Sequence, residues 1–184
     1  MKPGTVVYTG KTKKGTDIIV RYPVKTDVVE MHRYINVLSK EQTFILYQGE
    51  DVTLKEEMAF LTRVLKKIKN GQDTTLLVFH KDTLIGITGI EMKDKAEKHI
   101  GDFGISIAKE FRGEGIGNIL MNLILEEAKK NLENLKIVIL GCFADNPVAH
   151  EMYKKFGFIE YGTLPKGLSH KGNYVDHIFM YKEV

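Results

Sequence analysis

A single cysteine among 184 residues rules out an intramolecular disulfide framework. That residue, Cys142, sits in the apolar run Ile137-Val138-Ile139-Leu140-Gly141-Cys142-Phe143. No His or Lys stands beside it to lower its pKa, so it reads as a packing residue and not as a nucleophile. Metal-ligand spacing is also missing: His32, His80, His99, His150, His170 and His177 lie far apart, and no metal site is expected. Neither sign of charge is in large excess, since 27 basic against 24 acidic residues leave a net charge of +3. This is too little to argue for a nucleic-acid partner, though it suits an anionic ligand. No uninterrupted apolar stretch approaches the roughly 20 residues that span a bilayer. Met1-Lys2-Pro3-Gly4-Thr5 lacks the apolar core of a signal peptide, so a cytoplasmic location without a membrane partner is expected. Internal repeats, long linkers and low-complexity tracts are absent, which predicts a single domain over 1–184. A chain of this length buries roughly 70% of its unfolded surface and needs no staple.

What the sequence does contain is a clear change of periodicity. Ile18-Ile19-Val20-Arg21-Tyr22, rich in β-branched and aromatic residues, predicts a strand. Val28, Met31, Ile35 and Leu38 follow Thr26-Asp27 at helical spacing. A second helix is expected from Thr53, which stands in capping-box relation to Glu56. Leu54, Met58, Leu61, Leu65 and Ile68 form its stripe, and Asn70-Gly71 ends it. Period two then takes over. Residues 74–79 and 84–92 predict a hairpin turning at Lys81-Asp82-Thr83, and 99–108 a third strand of an antiparallel meander. Gly101 and Gly104 suggest a bulge in that strand, or a close approach by a backbone or ligand. A glycine-rich turn leads to a helix with Ile116, Ile119, Leu120, Leu123 and Ile124 on its apolar face. The run 136–143 predicts a strand buried on both faces, and strand–helix–strand implies a parallel crossover. Asn146-Pro147 opens a last helix, which Gly157 closes. Strands are expected at 158–162 and 174–181, separated by a basic, glycine-containing loop from Pro165 to Asn173. The expected class is mixed α/β (α+β): an antiparallel N-terminal meander, a parallel central pair in the same sheet, and flanking helices.

The segment Phe111-Arg112-Gly113-Glu114-Gly115-Ile116-Gly117 carries the most chemical information, because it joins a strand to an amphipathic helix. Its glycines permit dihedrals closed to other residues and let a ligand approach the backbone. The unpaired N–H groups of the helix's first turn converge there with the positive end of its dipole, which makes an anion site. A P-loop is excluded, since Asn118 follows Gly117 where that motif needs Lys-Ser/Thr after its glycine. A dinucleotide fingerprint fits poorly: the spacing is G-x-G-x-G, and the preceding strand belongs to a meander. A plain glycine turn without a ligand stays open as an alternative.

Arg112-x-x-Gly115-x-Gly117, preceded by Gly104-Ile105-Ser106-Ile107, resembles the acyl-CoA pyrophosphate motif of the GNAT N-acetyltransferase superfamily. Asn146-Pro147-Val148-Ala149, followed by Tyr153-Lys154-Lys155-Phe156-Gly157-Phe158, resembles the second motif of that family. The order of elements from Ile18 onward is similar as well. The resemblance implies that Arg112, Gly113, Glu114, Gly115, Ile116, Gly117 and Asn118 hold the CoA pyrophosphate. It implies that Ile105, Ser106 and Ile107 pair with the pantetheine arm like an added strand. A backbone N–H near Ile107 would polarise the thioester carbonyl, where parallel strands splay beside a bulge at Gly101 and Gly104. Asn146 would cap its helix and also contact CoA. Tyr153 stands at the general-acid position; alternatively it is a core residue on the apolar face Ala149, Met152, Tyr153 and Phe156.

The ribosomal-protein alanine acetyltransferases of that family carry a glutamate where this chain has Gly141. A base must therefore come from elsewhere. Glu91 and Asp102 on the central strands are the candidates, each also readable as a solvated strand-end charge. The implied activity is transfer of an acetyl group from acetyl-CoA to a primary amine of a small molecule or a peptide. A non-catalytic acetyl-CoA-binding sensor is the alternative, and a homodimer is compatible with the resemblance. The loop Pro165 to Asn173, with Lys166, His170 and Lys171, could close over the acceptor.

Overall fold

The structure, a computed structural model, describes residues 2–184. A hairpin of β1 (Val6–Lys11) and β2 (Asp17–Arg21) leads into α1 (Val28–Glu41) and α2 (Leu54–Lys69). The meander follows as β3 (Asp73–His80), β4 (Thr83–Met92) and β5 (Ile100–Ile107). Then come α3 (Ile116–Asn131), β6 (Ile137–Phe143), α4 (Pro147–Lys155), β7 (Ile159–His170) and β8 (Asn173–Glu183). All eight strands form one sheet in the order β1-β2-β3-β4-β5-β6-β8-β7. β5 and β6 pair in parallel, and the other neighbours are antiparallel. The mixed α/β class expected from the sequence is the one found.

Side-chain alternation divides the sheet into two buried faces. On one, Ile116, Leu120, Met121 and Ile124 of α3 pack against Val20, Leu76, Val78, Ile85 and Ile90. On the other, Met31, Tyr34 and Leu38 of α1 and Leu61 of α2 cover Leu77, Phe79 and Leu84. α2 begins with the capping box read from its sequence. The Thr53 hydroxyl oxygen accepts the Glu56 N–H at 3.2 Å, and the Glu56 carboxylate accepts the Thr53 N–H at 2.8 Å. Among the described residues, no helix is long and apolar enough to cross a membrane.

Three expectations are corrected. An additional strand, β1, precedes the predicted first one and pairs with it from Val6↔Arg21 to Lys11↔Asp17. β5 has no bulge: its register with β4 runs unbroken from Gly86↔Ile107 to Met92↔Gly101. Gly101 is required by packing instead, since a Cβ there would lie 2.5 Å from Ile90 Cγ2 and 2.9 Å from Leu135 Cδ1. The segment from Pro165 to Asn173 is not a loop but the far end of a long hairpin. β7 continues through it to His170 and turns at Lys171-Gly172. Pro165 is tolerated because it falls where the register shifts, between Leu164 and Leu168, on the last strand of the sheet.

Candidate functional site

The parallel pairing of β5 and β6 is short, ending at Asp102↔Ile139. Beyond that point β5 has an open edge. The Ala108 N–H donates to Ile85 O on β4, so strand alternation turns the N–H groups of Phe103, Ile105 and Ile107 the other way, toward β6. The gap widens into a cleft of about 1490 Å³. It runs from the glycine-rich turn, past Tyr153 and Asn146, to Phe44 and Leu46 between α1 and α2.

The turn is shaped for an anion. Gly113 and Gly115 adopt φ of +74° and +85°, the left-handed region that favours glycine. Gly115 is the N-cap of α3 and offers no side chain to its first turn, which also contains no acidic residue. The N–H groups of Ile116, Gly117 and Asn118 precede the first possible intrahelical acceptor and stay available. Glu114 is turned away: its carboxylate accepts hydrogen bonds from Thr12 (2.7 Å) and Thr16 (2.8 Å), which hold it below the usual range. The stem of Lys13, from the β1–β2 hairpin, lies across the turn, 3.1 Å from where a Gly115 Cβ would stand. Nothing local to the turn in sequence announced this lysine. Arg112 directs its guanidinium away from the helix end. Its Nε donates to Ile107 O at 2.9 Å, and its terminal nitrogens pair with both oxygens of Glu41 at the end of α1.

Asn146 caps α4, its Oδ1 accepting the Ala149 N–H at 3.2 Å, and it lines the cleft. Tyr153 also lines the cleft and is only 6% exposed. Its ring stands edge-on to Phe103 at 5.9 Å, and burial pushes its phenol well above the ordinary tyrosine value. Its hydroxyl makes no hydrogen bond to a protein group among the described residues, unlike Tyr22 on Glu127 (2.8 Å) and Tyr34 on Ser106 (3.0 Å). Cys142 is buried in the same wall, which pushes its thiol up to about 11 and keeps it protonated.

Glu91 and Asp102 are cross-strand neighbours, and Asp73 on β3 completes the row. Directly paired residues share a face, so all three carboxylates lie on the side covered by α1 and α2. Glu91 is engaged by Lys67 (2.7 Å) and Arg63 (3.1 Å). Asp102 stands at the accessible mouth of the cleft, yet partial desolvation still raises its carboxyl. Asp73 is 2% exposed, accepts the Thr75 hydroxyl at 2.6 Å, and is pushed by burial to about 7. Only the strand register reveals this row; Asp73 just after a helix end carries no motif.

A pH dependence follows from Asp73. Its folded pKa lies above the ordinary carboxylate value near 3.9. The folded state therefore holds the extra proton between about pH 4 and 7, and stability from this group is full below that window and lost as pH rises through it. Asp73→Asn, which keeps an acceptor for Thr75, should melt higher than the parent at pH 8, with the gap closing at pH 4. Parallel melting curves across pH check this; a gap independent of pH would reject it.

Opposite the carboxylates, β6 and β8 carry Phe143, His177 and Phe179 on that same face. Beyond Phe143, His170 bonds Asp145 Oδ2 through Nδ1 (2.8 Å) and the carbonyl of Gln42 through Nε2 (3.1 Å). This ties the β7–β8 hairpin to the end of α1.

Comparison with known proteins agrees with this geometry. The sequence model of the acetyltransferase (GNAT) family matches residues 36–158. An L-amino acid N-acetyltransferase of Escherichia coli is 31% identical over 98 residues, 53% of this chain and 60% of that protein, so the match spans less than two thirds of its length. The crystal structure of a GNAT-family acetyltransferase from Streptococcus pneumoniae superposes with a TM-score of 0.82 at 26% identity, covering 91% of this chain and 99% of that one. A Salmonella typhimurium protein solved with its cofactor acetyl-CoA has the same fold, with a TM-score of 0.77 at 14% identity over 90% of this chain and 93% of that one.

Proposed function

Because the chain belongs to the acetyltransferase (GNAT) family, we propose that it is an N-acetyltransferase that moves the acetyl group of acetyl-CoA to a primary amine by direct attack on the thioester. The observation that carries this reading is the uncapped, acid-free N-terminus of α3 opening into the same cleft as the free edge of β5 and the unengaged hydroxyl of Tyr153.

Acetyl-CoA supplies an acyl group activated as a thioester. The N–H groups of Ile116, Gly117 and Asn118 receive its pyrophosphate, assisted by the positive end of the α3 dipole and by Lys13. The roles of Gly113 and Gly115 are conformational, and Arg112 fixes the turn by holding Ile107 and Glu41. Ile105 and Ile107 offer backbone N–H groups to the pantetheine and the thioester oxygen, with Ser106 facing the opposite way and held by Tyr34. Asn146 contributes its amide NH₂ at the lip, since its Oδ1 is spent on the cap. Tyr153 keeps its proton at neutral pH and gives it to the departing sulfur. The acceptor enters from the α1–α2 side, where the exposed carboxylate of Asp102 favours a cationic ammonium. Of the two carboxylates singled out in the sequence, Asp102 has no ion-pair partner among the described residues, while Glu91 is held by two cations.

Calorimetric titration with acetyl-CoA, beside ATP and a dinucleotide, tests the cofactor. Selective binding in the micromolar range is expected, followed by amine-dependent release of free thiol. Absence of binding would leave the glycine turn without a ligand and overturn the reading. Binding without thiol release over a broad amine panel would favour a sensor.

A further inference from the structure

Gly141 lies on β6 just beyond the last parallel pair, Asp102↔Ile139, and so borders the opening between β5 and β6. The space above it is filled. A Cβ at position 141 would stand 2.1 Å from His177 Nε2 and 2.9 Å from His177 Cε1. The imidazole of β8 therefore occupies the volume that a side chain on β6 would take. Glycine at 141 is what admits the ring. The ring is held from its other sides as well: Phe179 lies against it at a 39° tilt with centroids 4.2 Å apart, and the approach of Gly167 from β7, where a Cβ would be 2.9 Å from His177 Cβ, closes the flank. His177 is half-buried and lines the cleft on the face where the carboxylates of β3, β4 and β5 lie.

We propose that His177 is the proton acceptor for the incoming amine, its Nε2 placed over Gly141 at the mouth of the splayed strands; this rests on the acetyltransferase reading above. The acceptor arrives as an ammonium. One N–H bond breaks and the proton passes to Nε2, giving an imidazolium. The freed lone pair forms the N–C bond to the acetyl carbon as the C–S bond breaks. The sulfur leaves with the Tyr153 proton, the second proton shed by the nitrogen restores the phenol, and the imidazolium releases its proton to solvent. The net change is one amide, one thiol and one proton.

The surroundings suit a base. Burial lowers the imidazole pKa, which favours the neutral ring that can accept a proton. Gly141 and Phe143 of β6, Phe179 of β8, and Leu164 and Gly167 of β7 bring no ionisable group against the ring. On that face Tyr161 of β7 packs against Phe179 and Tyr181, Asp102 lies across the splay on β5, and the His170–Asp145 pair lies beyond Phe143. Burial alone accounts for the shift. Glu91, by contrast, is neutralised by Arg63 and Lys67.

The test uses the full chain and measures thiol release from acetyl-CoA with three probes: an L-amino acid, spermidine and an alanine-initiated peptide. With whichever probe the parent turns over, kcat/KM should rise with pH through an ionisation below the ordinary histidine value. His177→Gln keeps the size of the side chain but cannot titrate. It should lose that limb and fall roughly 100-fold in kcat while acetyl-CoA affinity, by calorimetry, stays unchanged. Gly141→Ala should displace the ring and lower kcat in the same direction, again with acetyl-CoA binding retained. A His177→Gln enzyme with parental kcat and an intact acid limb would overturn the role of His177 while leaving the acetyltransferase reading standing. Parent protein that binds no acetyl-CoA, or releases no thiol with any probe, would overturn both.

Discussion

Gly117→Glu is expected to remove measurable binding of acetyl-CoA, a loss of at least about 100-fold, or ~2.7 kcal/mol. Position 117 lies in the first turn of α3, where three N–H groups converge with the helix dipole and no acidic side chain is present. A Cβ there meets Met152 Sδ at 3.0 Å and Ile107 Cδ1 at 3.7 Å. Both are ends of flexible side chains, and a thioether yields readily, so the fold should survive. The carboxylate that follows has no such accommodation. It fills the phosphate position with bulk and satisfies the N–H groups with its own charge, repelling the pyrophosphate. Calorimetry decides the matter, with a melting curve to establish that the variant is folded. Gly117→Ala separates the two effects, since it adds the steric contact without the charge and should weaken binding far less. Parental affinity in the Glu variant would move the phosphate site elsewhere.

Tyr153→Phe should leave acetyl-CoA affinity unchanged and lower kcat by roughly 100-fold, the ordinary worth of a positioned acid. The substitution is clean here because the ring is fixed without its hydroxyl. Phe103 and Phe158 hold it at centroid distances of 5.9 and 6.0 Å, and the hydroxyl has no protein partner to lose among the described residues. Buried phenol also titrates well above its ordinary value, so the parent should show no loss of activity from tyrosine ionisation in the mildly alkaline range. Turnover equal to the parent, measured where chemistry limits the rate, would make Tyr153 a packing residue only.

The helices and the central strands were legible because their signals are local. Thr53 and Glu56 form the box that their spacing implies, and Asn146-Pro147 starts α4 where it was expected. The glycine turn was legible for the same reason. What failed depended on distant partners. β1 has an alternating, largely exposed pattern and exists by pairing with β2, so it has no core signature of its own. Pro165 and Gly167 look like loop residues, yet an edge strand with an irregular register accommodates them, and the true turn is the two-residue Lys171-Gly172, with φ of +51° and +79°. In the candidate site the limit is sharper. The nearness of Glu91 and Asp102 to each other, and of both to Asp73, follows from strand register alone. Lys13 reaches the glycine turn across the fold, and His177 reaches Gly141 from a neighbouring strand; neither contact has a sequence period or motif that could announce it.

Glu41 and Gln42 are consecutive residues at the end of α1, and each is held by a different part of the molecule. Arg112, at the foot of the glycine turn, grips the carboxylate of the first; His170, at the tip of the long hairpin, takes the carbonyl of the second. A single peptide unit is thus the junction between the anion-receiving end of the cleft and the wall opposite the carboxylates. The turn and the hairpin tip are joined by hydrogen bonds to these two adjacent residues. A movement of the turn on ligand binding is expected to be felt at the hairpin tip, and linkage would make that bias mutual and equal in free energy. Seen in initial-rate kinetics, the two substrates should not behave as strangers: the apparent KM for each should depend on the concentration of the other.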